Sequence, residues 1–480
     1  MLCRGSLHRS TAGRALLTPV QTNVAQPTRT WLAWLRRTTG LDRAIAFTLL
    51  ARGWAAVAGV GTLAFITRFL TPAEQGYYYT FYSLVALQVV FELGFSIVIL
   101  QSASHEAAHL TLNPDGTVTG PFASHSRLAS VLQKSVRWYT TAALVMTALL
   151  LPAGILFFSH QATLHPAAHS ISWQGPWVLI VLASCITFQI DPTFSFLEGC
   201  GYVPQVARVR LNQAMFGTFM GWLALLLHHG LYAPGLIILG QAIAGLSFIH
   251  SRRRLLLPLL RHGCGDHRVD WATEVWPFQW RIAVSWLSGY FIFQLFNPIL
   301  FAFRGPIEAG QMGMSLNVCA TLSSMAIAWM NTKAAPFGRM VARREFVQLD
   351  ALFTRSLVQS TAAAALAAIG VWGTLVFLRY HNIPFALRLL PPLPMAMLLF
   401  TTVCNIIVFG QAVYLRAHKQ EKFMVISILA ALWTVPSALV LGRLFGATGI
   451  AIEYLCGTVV LGVGCGTYIF LKYRRIWHAA

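Results

Sequence analysis

The sequence predicts an all-α integral membrane protein, and three observations support this class. Of the 480 residues, 56% are hydrophobic and only 10% are charged, whereas an average soluble domain is roughly 25% charged. The mean hydropathy is +0.62. The apolar residues are gathered into runs of about 20, the length that an α-helix needs to cross the hydrocarbon layer of a membrane. Because backbone groups in lipid must be hydrogen-bonded within the chain, such runs indicate helices.

The apolar runs predict 12 transmembrane helices, each with few or no charged residues. The predicted helices lie near residues 45–68, 78–100, 136–158, 177–199, 211–229, 232–250, 281–303, 311–332, 356–378, 393–415, 423–443 and 447–470.

The positions of the basic residues predict the orientation of these helices. If the N-terminus is cytoplasmic, 29 of the 35 Lys and Arg residues fall on cytoplasmic segments and five fall on outer loops, with Arg52 inside the first helix. Lys and Arg accumulate in cytoplasmic loops. The asymmetry therefore predicts an even number of spans with both termini in the cytoplasm.

These boundaries divide the chain into five predicted parts. They are a basic cytoplasmic N-terminal arm (1–44), an N-terminal six-helix lobe (45–250), a cytoplasmic linker (251–280), a C-terminal six-helix lobe (281–471) and a cytoplasmic tail (472–480). The arm carries Arg and no acid up to Leu41, which is typical of organelle transit peptides. A basic, poorly ordered cytoplasmic tail is the interpretation that we favour.

The formal net charge of +20 does not predict nucleic-acid binding. The basic residues are spread over cytoplasmic loops, where topology and anionic lipid headgroups explain them. Membrane lipids are therefore predicted partners and nucleic acid is not.

One sequence motif is typical of zinc proteases. His105, Glu106 and His109 form H-E-x-x-H, in which two histidines on one helix face bind zinc. A catalytic zinc needs a third protein ligand, yet no Asp or Glu occurs between Asp115 and Asp191. We therefore expect a surface helix, and no metal or cofactor. The eight cysteines form no C-x-x-C pair and are interpreted as small apolar residues.

The sequence predicts no catalytic residue. It has no Walker A glycine loop and no G-x-S-x-G nucleophile turn, which ATPases and α/β-hydrolases carry. The predicted outer loops are short, which disfavours a membrane-embedded glycan polymerase or acyltransferase. That enzyme class stays open as an alternative to a transporter.

A short motif recurs at matching points of the two halves. Pro72-x-Glu74-x-Gly76 follows the first helix, and Pro306-x-Glu308-x-Gly310 follows the seventh. Because six helices separate the copies, the halves would be parallel repeats related by an axis along the membrane normal, as in several transporters that bind substrate between repeats.

The residues around both copies resemble a known family. Arg68 to Tyr77, followed by Glu92-Leu93-Gly94-Phe95, resembles the first two helices of Wzx-type polysaccharide flippases, in the superfamily that includes multidrug and toxin extruders (MATE) and lipid II flippases. Arg281 to Tyr290, with Ala309 to Leu316, is similar to the start of the second half in O-antigen and lipopolysaccharide exporters. The resemblance covers about residues 45–470.

This resemblance implies a fold, a substrate and a location. The fold would be two six-helix lobes related by a pseudo-two-fold axis around a central cavity. The substrate would be a polyprenyl-pyrophosphate-linked oligosaccharide, an O-antigen or exopolysaccharide unit, flipped across a bacterial inner membrane by alternating access. Other polysaccharide-assembly proteins are further implied partners. A MATE-like drug or cation exporter, with the same fold and acids facing its cavity, is the alternative.

Charged residues within predicted helices are candidate site residues, because burying a charge in the bilayer is costly unless it faces a cavity or a partner. Arg52, Glu92 and Asp191 lie at similar depths in helices 1, 2 and 4. We expect Arg52 to bind pyrophosphate through its planar donor fork, and an acid to pair with it or carry a coupling ion. A permanent structural ion pair is the equally simple interpretation.

Three further charges are weaker candidates. Arg281 and Lys333, near cytoplasmic helix ends, are candidate headgroup contacts, although snorkelling to the interface explains them equally well. Glu453, in helix 12, is a candidate for a cation pathway.

Helix 7 contains the predicted hinge. Pro298 removes a backbone hydrogen bond and bends a helix, and Gly289 lies nine residues before it. This combination suits a gate.

Overall fold

The fold was analysed in a computed structural model, which describes residues 43–113, 116–164, 171–263, 269–271, 276–418, 420 and 422–479. Nearly all of this part of the chain is helical. The predicted N-terminal arm before Arg43 lies outside the described residues.

Eight helices form the first half of the described chain. They are α1 (Arg43–Phe69), α2 (Pro72–Val85), α3 (Gln88–Glu92), α4 (Phe95–Ala107), α5 (Phe122–Leu164), α6 (Gln174–Gly199), α7 (Val203–Leu226) and α8 (Ala233–Ser251). A small antiparallel hairpin, β1 (Thr111–Leu112) and β2 (Val118–Thr119), connects α4 to α5 and pairs Thr111 with Thr119.

Nine helices follow in the linker and the second half. They are α9 (Arg253–Arg261), α10 (Trp276–Phe293), α11 (Phe296–Arg304), α12 (Pro306–Asn331), α13 (Ala334–Ala342), α14 (Phe346–Tyr380), α15 (Pro392–Ala417), α16 (Met424–Gly457) and, after the π-helical segment Thr458–Cys465, α17 (Gly466–Ala479).

The prediction of twelve spans is confirmed. Among the described residues nine helices are long and apolar enough to cross a membrane, and the bent pair Pro72–Glu92 and Phe95–Ala107 makes ten. The two remaining predicted spans have simple explanations. Helix α7 carries Arg208 and Arg210 within its first turns, and the longest candidate, Met424–His478, contains two predicted spans.

Gly446 divides that longest candidate into a helical hairpin. Its φ of 61° and ψ of −141° are not helical, and a left-handed φ of this kind favours glycine. Across the turn, a Cβ at Gly449 would lie 2.2 Å from the carbonyl oxygen of Leu441. The carboxylate of Glu308 accepts the Ala447 N–H at 2.5 Å and holds the turn.

Two transmembrane helices are broken near the middle. Helices α3 and α4 are separated by Leu93 and Gly94, whose φ values of 51° and 70° are left-handed, and the helices on either side are bent by 43°. Helices α10 and α11 are separated at Gln294 and Leu295. The second break lies where Pro298, four residues later, cannot donate to the Gln294 carbonyl.

The helices of each half pack mainly within that half, and the halves meet through α2 and α12. Fully buried aromatic side chains fill the contact beside α2: Tyr77, Phe81, Phe158, Trp177 and Phe301. We call the membrane side with the connections after Ala107 and Ser251 the basic side, and the side with the connections after Phe69 and Arg304 the opposite side.

Several helices extend beyond their predicted apolar runs. Helix α2 begins at Pro72 rather than near 78, because Thr71 and Glu74 form a capping box in which each side chain accepts the other's backbone N–H. Helices α5 and α14 begin at Phe122 and Phe346 on the basic side, and charged residues such as Arg127 and Asp350 precede their apolar runs. Helix α17 continues to Ala479, so residues 472–479 of the predicted tail are helical.

Replacing Gly154 with Val is expected to destabilise the first half. A Cβ there would lie 2.1 Å from a ring carbon of Trp177, whose side chain is fully buried. Overpacking of this kind costs about 1–3 kcal/mol. Thermal unfolding in detergent should therefore show a lower Tm for Gly154→Val. Gly370→Val is the matched control, because no described atom lies within 4 Å of that Cβ; equal Tm values would contradict the packing argument.

Candidate functional site

The two repeated motifs meet each other on the opposite side. A Cβ at Gly76 would lie 1.9 Å from the carbonyl oxygen of Pro306, and a Cβ at Gly310 would lie 2.8 Å from the Gly76 nitrogen. No real side chain fits at such distances, so the backbones of α2 and α12 are in direct contact. Small residues allow this approach between membrane helices. The repeat thus forms the closure between the lobes on this side.

Gln75 and Arg388 reinforce this closure with hydrogen bonds. The Gln75 amide, 1% exposed, donates to the carbonyl oxygens of Gly310 at 2.9 Å and Arg388 at 3.1 Å. The Arg388 guanidinium donates across the interface to the carbonyl oxygens of Leu70 at 2.5 Å and Thr67 at 3.3 Å. These carbonyl groups lie at the C-terminal end of α1, where the last carbonyls of a helix have no helical N–H to accept from.

Burial lowers the pKa of the Arg388 guanidinium, and the nearby Glu74 carboxylate acts in the opposite direction. Arginine stays charged at neutral pH. Arg388 therefore supplies a cation to the carbonyl end of α1, which attracts positive charge.

The middle of the interface is also hydrogen-bonded. Asn297 Nδ2 donates to Ser83 Oγ at 3.0 Å, and Tyr290 Oη donates to the Ser83 carbonyl oxygen at 3.3 Å. Toward the basic side, Gln279 Nε2 donates to the carbonyl oxygen of Leu93, at the break in the second span. The interface therefore follows α2 and α3 from one membrane side toward the other.

Contact between α1 and α12 is much sparser than contact between α2 and α12. A Cβ at Gly59 would lie 3.7 Å from Thr321 Oγ1, an ordinary van der Waals distance. Gly53, two turns closer to the basic side, would place its Cβ within 4 Å of no described atom.

The predicted acids Glu92 and Asp191 lie together, and their cation is Arg210. Both carboxylates are partly buried and interact electrostatically with Arg210. Arg210 Nε is 3.4 Å from Glu198 Oε1. Charges within membrane helices are tolerated when they pair in this way. We call Glu92, Asp191, Glu198 and Arg210 the acid cluster.

A hydroxyl pair extends the acid cluster toward α5. Ser96 Oγ donates to Glu92 Oε1 at 2.7 Å and lies 3.4 Å from the hydroxyl of Tyr139, which is fully buried. Glu92 ends α3, directly before the break at Leu93.

The structure does not bring Arg52 to these acids. Its side chain is exposed and forms no hydrogen bond or ion pair with a residue that the structure describes. It lies nine residues beyond the start of α1, about 14 Å along the axis at 1.5 Å per residue. Equal depth in the membrane did not place Arg52 in contact with the acids, because depth does not determine where each helix lies around the lobe.

The other predicted charges are separate from the acid cluster. Glu453 is 1% exposed, and within the described chain neither of its carboxylate oxygens accepts a hydrogen bond. The hydroxyls of Thr434 and Ser437, on the other arm of the α16 hairpin, lie beside it. Lys333 is half-buried at the start of α13, and the side chain of Arg281 lies outside the described residues.

The predicted hinge residues flank the break in the seventh span. Pro298 lies in α11, and Gly289 lies in α10, where an added Cβ would meet no described atom within 4 Å. Close packing therefore does not require glycine at position 289.

The H-E-x-x-H motif takes part in an ion pair. Glu106 Oε1 accepts from Arg127 Nε at 2.7 Å, which ties the end of α4 to α5. The rings of His105 and His109 are 6.1 Å apart between centroids. Among the described residues no group of three His, Cys, Asp or Glu side chains could hold a metal ion.

Four interface and cluster residues were missed by sequence reasoning: Gln75, Gln279, Arg210 and Arg388. Gln75 lies inside the repeated P-x-E-x-G motif, so the repeat indicated the segment that contains it. Arg210 and Arg388 lie between predicted helices, where basic residues need no further explanation, and nothing in the sequence distinguishes Gln279.

The described helices define a polytopic membrane protein of two six-helix lobes. No protein-family model matches the chain, and no curated protein sequence matches it. Solved structures do match. The lipid II flippase MurJ in an inward closed conformation aligns with TM-score 0.60 at 10% identity, over 90% of this chain and 87% of that chain.

Two MATE transporters are also similar. The multidrug transporter DinF-BH aligns with TM-score 0.57 at 14% identity, over 91% of this chain and 96% of that chain. An inward-facing MATE multidrug transporter of the MOP superfamily aligns with TM-score 0.54 at 12% identity, over 88% and 99%. At such low identity the likeness establishes the fold. The chain therefore has the two-lobe fold of MOP-superfamily transporters.

Replacing Gly76 with Ala is expected to open the closure on the opposite side. The added Cβ collides with backbone rather than a movable side chain, at a cost of about 1–3 kcal/mol to the closed arrangement. The measurement is labelling of Ser83→Cys by a membrane-impermeant maleimide, in a background without the native cysteines. Labelling should become faster.

Gly59→Ala is the matched control, since its Cβ meets Thr321 at an ordinary distance. Equal labelling rates in the two variants would show that the glycine contact does not hold the lobes closed.

Proposed function

We propose that this chain is a transporter, not an enzyme, that flips a polyprenyl-pyrophosphate-linked oligosaccharide across a bacterial inner membrane by alternating access. The observation that supports this most directly is the closure between two lobes of a transporter fold, made by backbone contact at Gly76 and Gly310. Both termini would be cytoplasmic, so that the basic side is the cytoplasmic side and the opposite side is the outer side.

Alternating access requires an interface with two discrete packings. In this structure the lobes are held by backbone contact between α2 and α12, by a few hydrogen bonds, and by Phe301 packed against Tyr77. In this proposal the structure is the state that is closed on the outer side. Gly289 and Pro298 would absorb the change in helix direction.

The substrate assignment is supported by charge and by fold likeness. Arg52 is an exposed cation within a membrane helix, and arginine binds phosphate with two parallel hydrogen bonds. Arg281 and Lys333 are further proposed headgroup contacts. The similar MurJ structure is that of a lipid II flippase. Other polysaccharide-assembly proteins are proposed partners.

A MATE-like drug or cation exporter is the second candidate. The acid cluster contains three carboxylates and one arginine among the described residues, and the buried Glu453 adds an acid in the other lobe. Such acids could bind a coupling ion in either function, and Glu92 and Asp191 are the proposed coupling residues. The nature of the transported molecule distinguishes the candidates.

Locking the lobes together is expected to stop transport. In a background without the native cysteines, Gly59→Cys with Thr321→Cys places two thiols across the lobes, since the Gly59 Cβ would lie 3.7 Å from Thr321 Oγ1. A Cβ at position 59 therefore contacts the side chain at position 321, and a disulfide joins side chains that are in such contact. Oxidation should abolish flipping of a fluorescent lipid-linked oligosaccharide in proteoliposomes, and reduction should restore it.

The control lock is Gly442→Cys with Ile299→Cys, whose atoms are 3.0 Å apart but belong to one lobe. This disulfide should leave transport unchanged. Transport that continues with the lobes fully cross-linked would refute alternating access between them.

Deleting the gene tests the substrate. We expect loss of surface polysaccharide and accumulation of lipid-linked oligosaccharide on the cytoplasmic leaflet. Wild type should restore export, whereas Arg52→Ala at equal protein level should not, because the pyrophosphate loses its proposed cation. Arg475→Ala, at an exposed arginine of α17, is the control and should behave as wild type.

Two outcomes would change the assignment. An unchanged lipid-linked pool, with lower resistance to cationic drugs, would favour the exporter. Full rescue by Arg52→Ala would retain a flippase but remove Arg52 from its substrate site.

A further inference from the structure

A cavity lined by arginine lies on the basic side, at the connection between the two lobes. Its volume is about 350 Å³. It is lined by Gly116, Tyr202, His250, Ser251, Arg252, Arg253, Arg254 and Leu255. We call this cavity the arginine pocket. Among these described lining residues the charged side chains are all arginines.

Arg252 is the most enclosed of the three arginines. Its guanidinium lies over the ring of Tyr202 at 5.0 Å and close to the ring of Phe248 at 5.6 Å. Its Nε is buried without a hydrogen-bond partner in the described chain. An unpaired buried donor is costly. The positive charge of the guanidinium, which the described lining residues leave without an acid, favours an anion in the pocket.

His250 and Arg253 form a second donor group at the pocket. Arg253 Nη1 lies 2.5 Å from His250 Nε2, and both side chains are exposed. The imidazole accepts one hydrogen bond from the guanidinium, so Arg253 supplies the donors of this pair and keeps its other N–H groups for a further acceptor. Planar guanidinium donors match phosphate oxygens in pairs.

The beginning of α9 contributes backbone donors. Helix α9 starts at Arg253, and the first N–H groups of a helix attract anions where they lack helical partners. The Leu255 N–H already donates to the Arg252 carbonyl oxygen at 3.0 Å, so the donors at this helix start are the N–H groups of Arg253 and Arg254. Gly116, with φ 92°, lies against this helix start, because a Cβ there would be 3.2 Å from Arg254 Cβ and from the Leu255 nitrogen. Gly116 thereby forms one wall of the pocket.

Helix α9 is amphipathic, which indicates the depth of the pocket. Leu255, Leu256 and Leu259 are buried against the protein, while Leu257 and Leu260 are 45% and 36% exposed. A helix with arginines at its ends and exposed leucines between them lies at a membrane surface. The pocket directly follows the end of the membrane helix α8, at headgroup level.

We propose that the arginine pocket binds a phosphate group, and that this phosphate is the headgroup of an anionic membrane lipid whose chains lie against Leu257 and Leu260. The site is independent of the proposed transport cavity. Since it joins α8 to the linker between the lobes, lipid bound there would contact the segment that must move when the lobes rearrange.

The test is lipid binding by the purified full-length protein in detergent, measured by native mass spectrometry with phosphatidylglycerol and with zwitterionic phosphatidylcholine. Wild type should retain phosphatidylglycerol selectively. R253Q/R254Q should weaken that binding roughly tenfold or more. Each cation near an anionic surface strengthens binding by about fivefold, and this variant removes two. Unchanged thermal unfolding would show that the variant is folded.

K472Q/R475Q is the matched control, because it removes two exposed cations of α17 on the same membrane side. Equal loss of lipid in both variants would show diffuse charge attraction and overturn the proposal. Inorganic phosphate is the second probe. If phosphatidylglycerol stays bound in millimolar phosphate, the result supports a lipid headgroup as the ligand. If the protein binds phosphate but retains no lipid selectively, the result contradicts the proposal.

Discussion

The direct backbone contact between α2 and α12 is the constraint on which the rest of the interface depends. Lipid gives membrane helices no hydrophobic reason to associate, so they associate through van der Waals packing and hydrogen bonds. Gly76 and Gly310 allow that packing because neither has a Cβ to collide with the facing backbone. Only at this separation does the short Gln75 side chain reach the Gly310 carbonyl oxygen at 2.9 Å. A side chain at either glycine would therefore remove several contacts together.

Some hydrogen bonds along this interface use backbone carbonyls that helix geometry leaves without partners. Arg388 donates to the carbonyls at the end of α1, and Gln279 donates to Leu93 at the break before α4. In the bilayer such carbonyls must be satisfied within the protein. The break at Leu93 thus leaves an acceptor that the other lobe satisfies. This break therefore helps to specify which surfaces meet, in addition to bending the span.

Much of the fold could be predicted from the sequence, because the apolar runs are set by membrane thickness and each is read independently of the others. The repeated motif also indicated where the halves correspond. That Gly76 and Gly310 would contact each other could not be predicted, since spacing along the chain does not reveal pairing between helices. The same limit explains the acids: depth placed Arg52 beside Glu92, whereas the rotation of α7 places Arg210 there instead. Helix ends were missed where polar turns continue outside the lipid, as at Phe122.

The two copies of the motif have kept their glycines but not the roles of their glutamates. Glu74 caps its own helix through Thr71, whereas Glu308 holds the hairpin at Gly446 by accepting from Ala447. Symmetry is thus retained where backbones touch and lost where side chains act locally. The buried acids of the membrane helices follow the same division, because the acid cluster belongs to the first lobe, whereas Glu453 lies beside the hydroxyls of Thr434 and Ser437 in the second.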